Sequence, residues 1–240
     1  MTVRRVHLPP ARIAGDRAAL TEEARHYLRD VLRLAAGAAI EVFDGAGGAY
    51  DATIGPGFEA LALGPRREAP RAGAEIALLF ALSKGEKMDL VVQKATELGV
   101  AVIAPFAAER SVVRLEAEKG AERAGRWRRI AEEAARQCGR ADVPDVLAPA
   151  PLAAALAALP PGAATFVFHP GGAPLATATP TGAPVYAAVV GPEGGLTPGE
   201  LEACERAGAR RAGLGPRVLR AETAAIASVT LLQARFGDLG

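Results

Sequence analysis

The sequence predicts an α/β fold with a mostly parallel sheet, preceded by a small β-rich unit. Three observations carry this. Five short apolar segments near Ile76, Val100, Phe166, Val185 and Ala209 alternate with helical patterns, which is the signature of strand–helix–strand units. A stretch rich in Gly, Pro and charge, Gly64 to Gly73, separates them from an earlier segment with strand and hairpin signals, placing a boundary near residue 70 between domains 1–70 and 71–240. Lastly, glycine-bearing loops follow the later strands, where open α/β sheets bind ligands.

In the first domain, Val3 to Leu8 alternates as a strand. Thr21 caps a helix running to Arg33, with Ala24, Tyr27, Leu28, Val31 and Leu32 on one face and Arg25, Arg29 and Arg33 at four-residue spacing on the other. That arginine row reads either as a solvated face or as a phosphate-contacting stripe. Ile40 to Gly45 ends in Asp-Gly before Gly48 to Ile54, a hairpin signal.

From Glu75 the pattern changes. Ile76 to Leu82 is a buried strand; Ser83-Lys84-Gly85-Glu86-Lys87 turns into a helix carrying Leu90, Val91, Lys94, Ala95 and Leu98, closed by Gly99. Lys84 and Lys87, beside a strand end, suit either phosphate or solvent. Val100 to Phe106 is the next strand, and Ala121 to Gly139 a long helix with Trp127, Ile130, Ala134 and Cys138 and many arginines. A short helix is expected over Leu152 to Leu159, then a strand Thr165 to Phe168 that ends in the loop His169-Pro170-Gly171-Gly172. Ala173 to Pro184 reads as structureless.

The last third is the most informative. The apolar run Val185 to Val190 is a buried parallel strand that stops at Gly191-Pro192-Glu193-Gly194-Gly195. Thr197-Pro198-Gly199-Glu200 then starts a helix: Thr197 suits the N-cap, Pro198 the first turn, and Glu200 completes a capping box. Ala209 to Gly213 leads into Leu214-Gly215-Pro216-Arg217-Val218-Leu219-Arg220, too rich in Gly and Pro for a helix, before a small-residue helix from Glu222 to Phe236. These two loops can form two walls of one pocket.

The bulk properties exclude several classes. The chain has 240 residues and a net charge of +1, from 28 Lys plus Arg against 27 Asp plus Glu, so an RNA partner would need a local patch. Cys138 and Cys204 lack metal or disulfide spacing, His7, His26 and His169 are scattered, and no metal site is expected. With no membrane-length apolar run and no signal-peptide pattern, a cytoplasmic protein is expected.

G-P-E-G-G at Gly191 to Gly195, together with L-G-P-R-V-L-R-A-E-T-A at Leu214 to Ala224, resembles the paired signature of the RsmE family, uridine-N3 methyltransferases of 16S ribosomal RNA in the SPOUT superfamily. Three further stretches are similar to the same family: His26 to Arg33, Lys84 to Val100, and Glu133 to Arg140. The resemblance implies a SPOUT methyltransferase domain with a C-terminal trefoil knot, an N-terminal PUA-like β-barrel that binds RNA, and a homodimer acting on the small ribosomal subunit. It implies S-adenosylmethionine as cofactor, held by His169, Pro170, Gly171, Gly191, Pro192, Glu193, Gly195, Leu214, Gly215, Val218, Leu219 and Arg220. RNA contacts then fall to Arg4, Arg5, Arg25, Arg29, Arg33, Lys84, Arg136 and Arg140. N3 of uracil must lose its proton, so Glu193 or Glu222 is the candidate acceptor and Arg220 the candidate stabiliser of developing negative charge. A ribose 2′-O-methyltransferase of the superfamily is the neighbouring alternative, disfavoured because Arg220-Ala221-Glu222-Thr223 replaces its Asn-Val-Ser type motif. A non-catalytic RNA-binding module is the alternative of another class.

Overall fold

The computed structural model describes residues 4–68, 73–112, 117–177 and 181–239, so Val3 of the expected first strand and the expected boundary near residue 70 lie outside the described residues. The chain forms two compact units, residues 1–70 with 132–143, and residues 71–131 with 144–240.

In the first unit, β1 (Arg5–His7), β2 (Ile13–Ala14) and β3 (Arg17–Ala19) precede helix α1 (Glu22–His26), and β4 (Ala39–Phe43), β5 (Gly48–Ile54), β6 (Ala60–Leu63) and β7 (Arg67–Glu68) follow it. The sheet order is β1-β4-β5-β6-β3-β2, with β7 on β5. Only the β1–β4 pairing is parallel among the described strands; the rest are antiparallel. Alternate residues of the hairpin, such as Ile40, Val42, Ala52 and Ile54, join Leu8, Leu28 and Leu61 in one apolar core. Asp44 explains why the hairpin turns where it does. Its buried carboxylate accepts the N–H groups of Ala46 and Gly48, both at 2.8 Å, while Gly45 and Gly47 take the positive φ that the tight reversal needs.

The expected helix from Thr21 to Arg33 is only partly α-helical. Thr21 caps it as read, accepting the N–H of Ala24 at 3.1 Å, but Tyr27 to Val31 opens into a π-turn, with Leu32 N–H reaching back to the Tyr27 carbonyl. The wider turn changes the angular spacing, so Val31 is 58% exposed instead of facing the core. Arg33 takes a left-handed φ of 53° and ends the element, which breaks the expected four-residue arginine row.

The second unit contains β8 (Glu75–Ala81), α2 (Lys87–Glu97), β9 (Val102–Ala107), α3 (Ala117–Cys138), β10 (Asp145–Val146), β11 (Ala150–Pro151) and α4 (Leu152–Ala157), followed by β12 (Ala164–Pro174), β13 (Val185–Val190), α5 (Pro198–Arg206), β14 (Arg210–Gly213) and α6 (Ala221–Phe236). From Glu132 onward the α3 residues belong with the first unit, where Ala135 packs with Phe43, Ala49 and Ala141. The sheet runs β10-β9-β8-β13-β12-β14, every pair parallel, with β11 on β9. Its centre is apolar throughout: all six residues of β13 are buried, and Leu78, Leu79 and Phe80 of β8 are fully enclosed. Each buried Val, Leu or Phe among them contributes about 1.5–3 kcal/mol, so the middle of the sheet holds the strand ends in place. No helix among the described residues is long and apolar enough to cross a membrane.

In α2, Leu90 faces outward while Met88, Val91, Val92 and Ala95 pack inward. Two expectations change here. The strand at Phe166 does not stop at His169 but continues to Pro174, with its pairing to β14 interrupted between Phe168 and Ala173. The tract Ala173 to Pro184 is not wholly structureless, since Leu175–Thr177 makes a 3₁₀ turn.

Candidate active site

A cavity of about 520 Å³ opens at the carboxyl end of β13 and beside the interruption of β12 after Phe168. Phe168, His169 and Pro170 line it from β12, Val190 through Leu196 from β13 and its loop, and Val218 through Ala221 with Ala224 from the approach to α6. The three segments expected to share a pocket do so. Gly171, Leu214 and Gly215 are not among the lining residues, whereas Arg110, which no motif marked, is.

Each wall has a local cause. On β12, residues 169–172 form an irregular stretch between two pairs to the same partner residue: both Phe168 and Ala173 are in register with Ala212. The stretch leaves the ladder, and its first two residues, His169 and Pro170, line the cavity. The ring nitrogen Nδ1 of His169 lies 2.7 Å from the Pro170 carbonyl oxygen, which fixes the imidazole at the rim. In the glycine loop, Gly195 donates to the Pro192 carbonyl at 2.8 Å and adopts φ +69°. Gly191 folds so tightly on the loop that an added Cβ would lie 2.9 Å from Leu196 Cγ. These positions therefore require glycine for geometric reasons.

The loop is then pinned to α5. Thr197 Oγ1 accepts the Glu200 N–H at 3.3 Å, and Glu200 Oε2 accepts the Thr197 N–H at 2.8 Å, the capping box expected from the sequence. The other Glu200 oxygen accepts the N–H of Glu109 at 2.9 Å, which anchors the segment carrying Arg110. Arg110 in turn donates to the Gly194 carbonyl at 3.1 Å. Replacing Thr197 with alanine is expected to lower stability by about 1 kcal/mol, the usual loss for an N-cap. Urea unfolding measures it, and Glu200→Ala should cost more because two N–H groups then lose their acceptor.

The charged part of the site centres on Lys87, the first residue of α2. Its Nζ lies 2.5 Å from Glu193 Oε1 and 3.7 Å from Glu222 Oε2. The hydrogen bond from Lys87, helped by the backbone N–H of Glu193 itself, holds the Glu193 carboxyl below the usual glutamate range. Lys87 is correspondingly raised, first by its bond to Glu193, then by the charge of Glu222, against the nearby charge of Arg220. Among the described residues, Glu222 Oε2 is buried with no hydrogen-bond partner. The N-cap position of α6 is Arg220, which lines the cavity and makes no side-chain capping bond among the described residues.

The candidate RNA residues are dispersed. Arg4 is exposed, but Arg5 is absorbed into the fold: it pairs with Glu41 at 2.5 Å, donates to the Ala135 carbonyl and lies over the Phe43 ring. Arg25 donates to the Phe58 carbonyl, Arg29 binds Asp30, and Arg33 ends its element. Arg136 stacks on Tyr27 at 4.1 Å, and Arg140 pairs with Asp142 at 2.8 Å. Lys84 is exposed at the turn before α2.

Comparison with known proteins agrees with this construction. Residues 70–233 match the model of an RNA methyltransferase domain, and residues 20–58 that of an RNA methyltransferase PUA domain. The ribosomal RNA small subunit methyltransferase E of Synechocystis is 30% identical across 96% of this chain and 77% of its own length. The protein of that name from Bacillus subtilis is 34% identical over 63% of this chain; the match spans 62% of that relative, less than two thirds of its length. The crystal structure of ribosomal RNA small subunit methyltransferase E from Neisseria gonorrhoeae, bound to S-adenosyl methionine, superposes with a TM-score of 0.88 at 32% identity, covering 100% of both chains. With a PUA-like first unit, a parallel-sheet second unit and relatives matched across nearly its whole length, the chain belongs to the ribosomal RNA small subunit methyltransferase E family of RNA methyltransferases.

Proposed function

We propose that this chain is an S-adenosylmethionine-dependent methyltransferase that modifies N3 of a uridine in 16S ribosomal RNA, acting on the small ribosomal subunit as a cytoplasmic homodimer. The observation that carries this reading is the cavity built from three segments brought together at the strand ends, within a chain of this family. Its volume of about 520 Å³ falls in the range of small-molecule sites. The residues present suit the cofactor: Gly195 has no side chain and open space beside it, and Val218 and Leu219 offer apolar surface for an adenine. The proposed cofactor set is that cavity lining, to which Glu193 and Arg220 contribute backbone groups only, with Gly171, Leu214 and Gly215 supporting it from outside. When bound, S-adenosylmethionine supplies a methyl group on a positively charged sulfur.

The chain's own residues do the rest. Uracil N3 is a weak nucleophile while protonated, so a proton acceptor must stand beside it. Glu193 lines the cavity and Glu222 does not, which favours Glu193 for this role. Arg220, also in the lining, is placed to stabilise negative charge spreading onto the uracil carbonyl oxygens. The first unit would present RNA through Arg4, Arg25, Arg29, Arg33, Arg136 and Arg140, with Lys84 contributing from the second. Arg5, already paired, would hold the fold. The C-terminal trefoil knot implied by the resemblance is part of the same proposal.

Incubation with methyl-labelled S-adenosylmethionine and 30S subunits lacking the modification tests the reading. Label recovered in N3-methyluridine is expected. Label in a ribose would instead support the 2′-O reading, and no incorporation would leave a binding module. Arg220→Ala should reduce kcat at least ten-fold with cofactor affinity little changed; activity within a few-fold of wild type would remove its charge-stabilising role.

A further inference from the structure

Two carboxylates compete for one ammonium beside the cavity. Lys87 Nζ sits on Glu193 at 2.5 Å, while Glu222 Oε2, 3.7 Å from the same nitrogen, is buried and lacks any hydrogen bond among the described residues. A buried carboxylate oxygen without a donor is unfavourable, and the Lys87 ammonium is only about half an ångström beyond hydrogen-bond range. Lysine is suited to such an exchange, being a point charge on a flexible four-carbon stem with three donor directions. The two acceptors differ in position: Glu193 lines the cavity, Glu222 does not.

We propose that Lys87 is a positioning residue that decides which carboxylate is free: its transfer from Glu193 to Glu222 releases Glu193 to take the N3 proton of a uracil in the cavity. This rests on the methyltransferase reading above. In the proton step the N3–H bond breaks, the proton passes to a Glu193 carboxylate oxygen, and the electron pair remains on nitrogen. Before substrate enters, Lys87 keeps Glu193 ionised. Once the ammonium moves, Glu193 becomes a stronger base at the moment a base is needed, and the vacant acceptor on Glu222 prevents Lys87 from being stranded. The charged and titratable groups around Glu193 are Lys87 from α2, Arg220 and Glu222 at the start of α6, Arg110 bound to the adjacent Gly194 carbonyl, and His169 across the cavity.

Lys87→Met, Lys87→Arg and Glu222→Gln in the full chain test the exchange through pH profiles. The acid limb of kcat/KM reports groups in the free enzyme, and that of kcat groups in the substrate complex. In Lys87→Met the kcat/KM limb is expected to move to higher pH while the kcat limb stays, and Lys87→Arg should restore the kcat/KM limb. Glu222→Gln, which weakens the second seat, should lower kcat about ten-fold with S-adenosylmethionine affinity by calorimetry within a few-fold. Independently of turnover, a carbon-13 NMR titration of the Glu193 carboxyl in cofactor-free protein, assigned with Glu193→Gln, should show its midpoint rising in Lys87→Met. An unmoved midpoint, or lost activity with unchanged pH limbs, overturns the proposal and leaves Lys87 a structural ion pair. If the wild type methylates nothing, the functional reading fails instead, and the titration still tests whether Lys87 controls Glu193.

Discussion

Gly172→Ala is expected to destabilise the protein by about 3 kcal/mol, the upper end for overpacking a tight site. Gly172 lies in the irregular stretch of β12, where that strand rejoins β14, and an ideal Cβ there would collide with the main-chain carbon and oxygen of Ala212 and come within 2.8 Å of the Gly213 nitrogen. The approach is reciprocal, since a Cβ on Gly213 would meet the Gly172 carbonyl oxygen. All these neighbours are backbone atoms of a paired strand, so none can swing aside as a flexible side chain would. Relief requires the two strands to separate, which breaks ladder hydrogen bonds at an edge strand. The same displacement carries His169 and Pro170 away from the cavity, so cofactor affinity should fall together with stability. Urea unfolding and calorimetric titration measure the two effects. A variant within 0.5 kcal/mol of wild type, a margin typical of innocuous substitutions, would show that the strands do not approach this closely.

What was legible in the sequence was local. The capping box of Thr197 and Glu200 spans three residues, and its chemistry leaves one reading. The run Val185 to Val190 is apolar because both faces of a central parallel strand are covered, and it came out with those bounds. The glycine loops marked the cavity because glycine at consecutive turn positions has few other uses. The misses share a different cause. Lys87 and Glu193 are 106 residues apart, and a lysine near a strand end looks the same in sequence whether it meets water or a carboxylate. Arg110 sits in an unremarkable segment and reaches the site only because Glu200 accepts from Glu109. The π-turn at Tyr27 to Val31 follows an intact α-helical pattern, so nothing in the periodicity warns that Val31 will turn outward. The continuation of β12 past Phe168 depends on β14 offering Ala212 twice, a tertiary fact invisible to a strand's own residues. Residues 132–143 likewise join the first unit through Ala135 and Ala141, small side chains that packing alone selects.

Glu193→Gln is expected to lower kcat by about 10²–10⁴-fold, the usual contribution of a positioned proton acceptor, while S-adenosylmethionine affinity stays within a few-fold. Glutamine keeps the shape and one acceptor oxygen, so the loop from Gly191 to Gly195 retains its turn, but an amide cannot take the N3 proton. The fold should tolerate the change, because Lys87 then has Glu222 as its remaining carboxylate, 3.7 Å away in the wild-type arrangement. The pH dependence gives a second, independent sign. Glu193 is held below its ordinary range by Lys87, so its ion pair contributes stability above the unfolded carboxyl's pKa and loses it as pH falls through the lower folded value. Wild type should therefore lose slightly more stability than Glu193→Gln on acidification below about pH 4, the range of an unperturbed glutamate. The difference is small, because both side chains are about a third exposed and solvent screens the pair. A large loss of kcat with little change in folding places Glu193 in the chemistry; a loss of cofactor affinity of the same size would make it a binding residue instead.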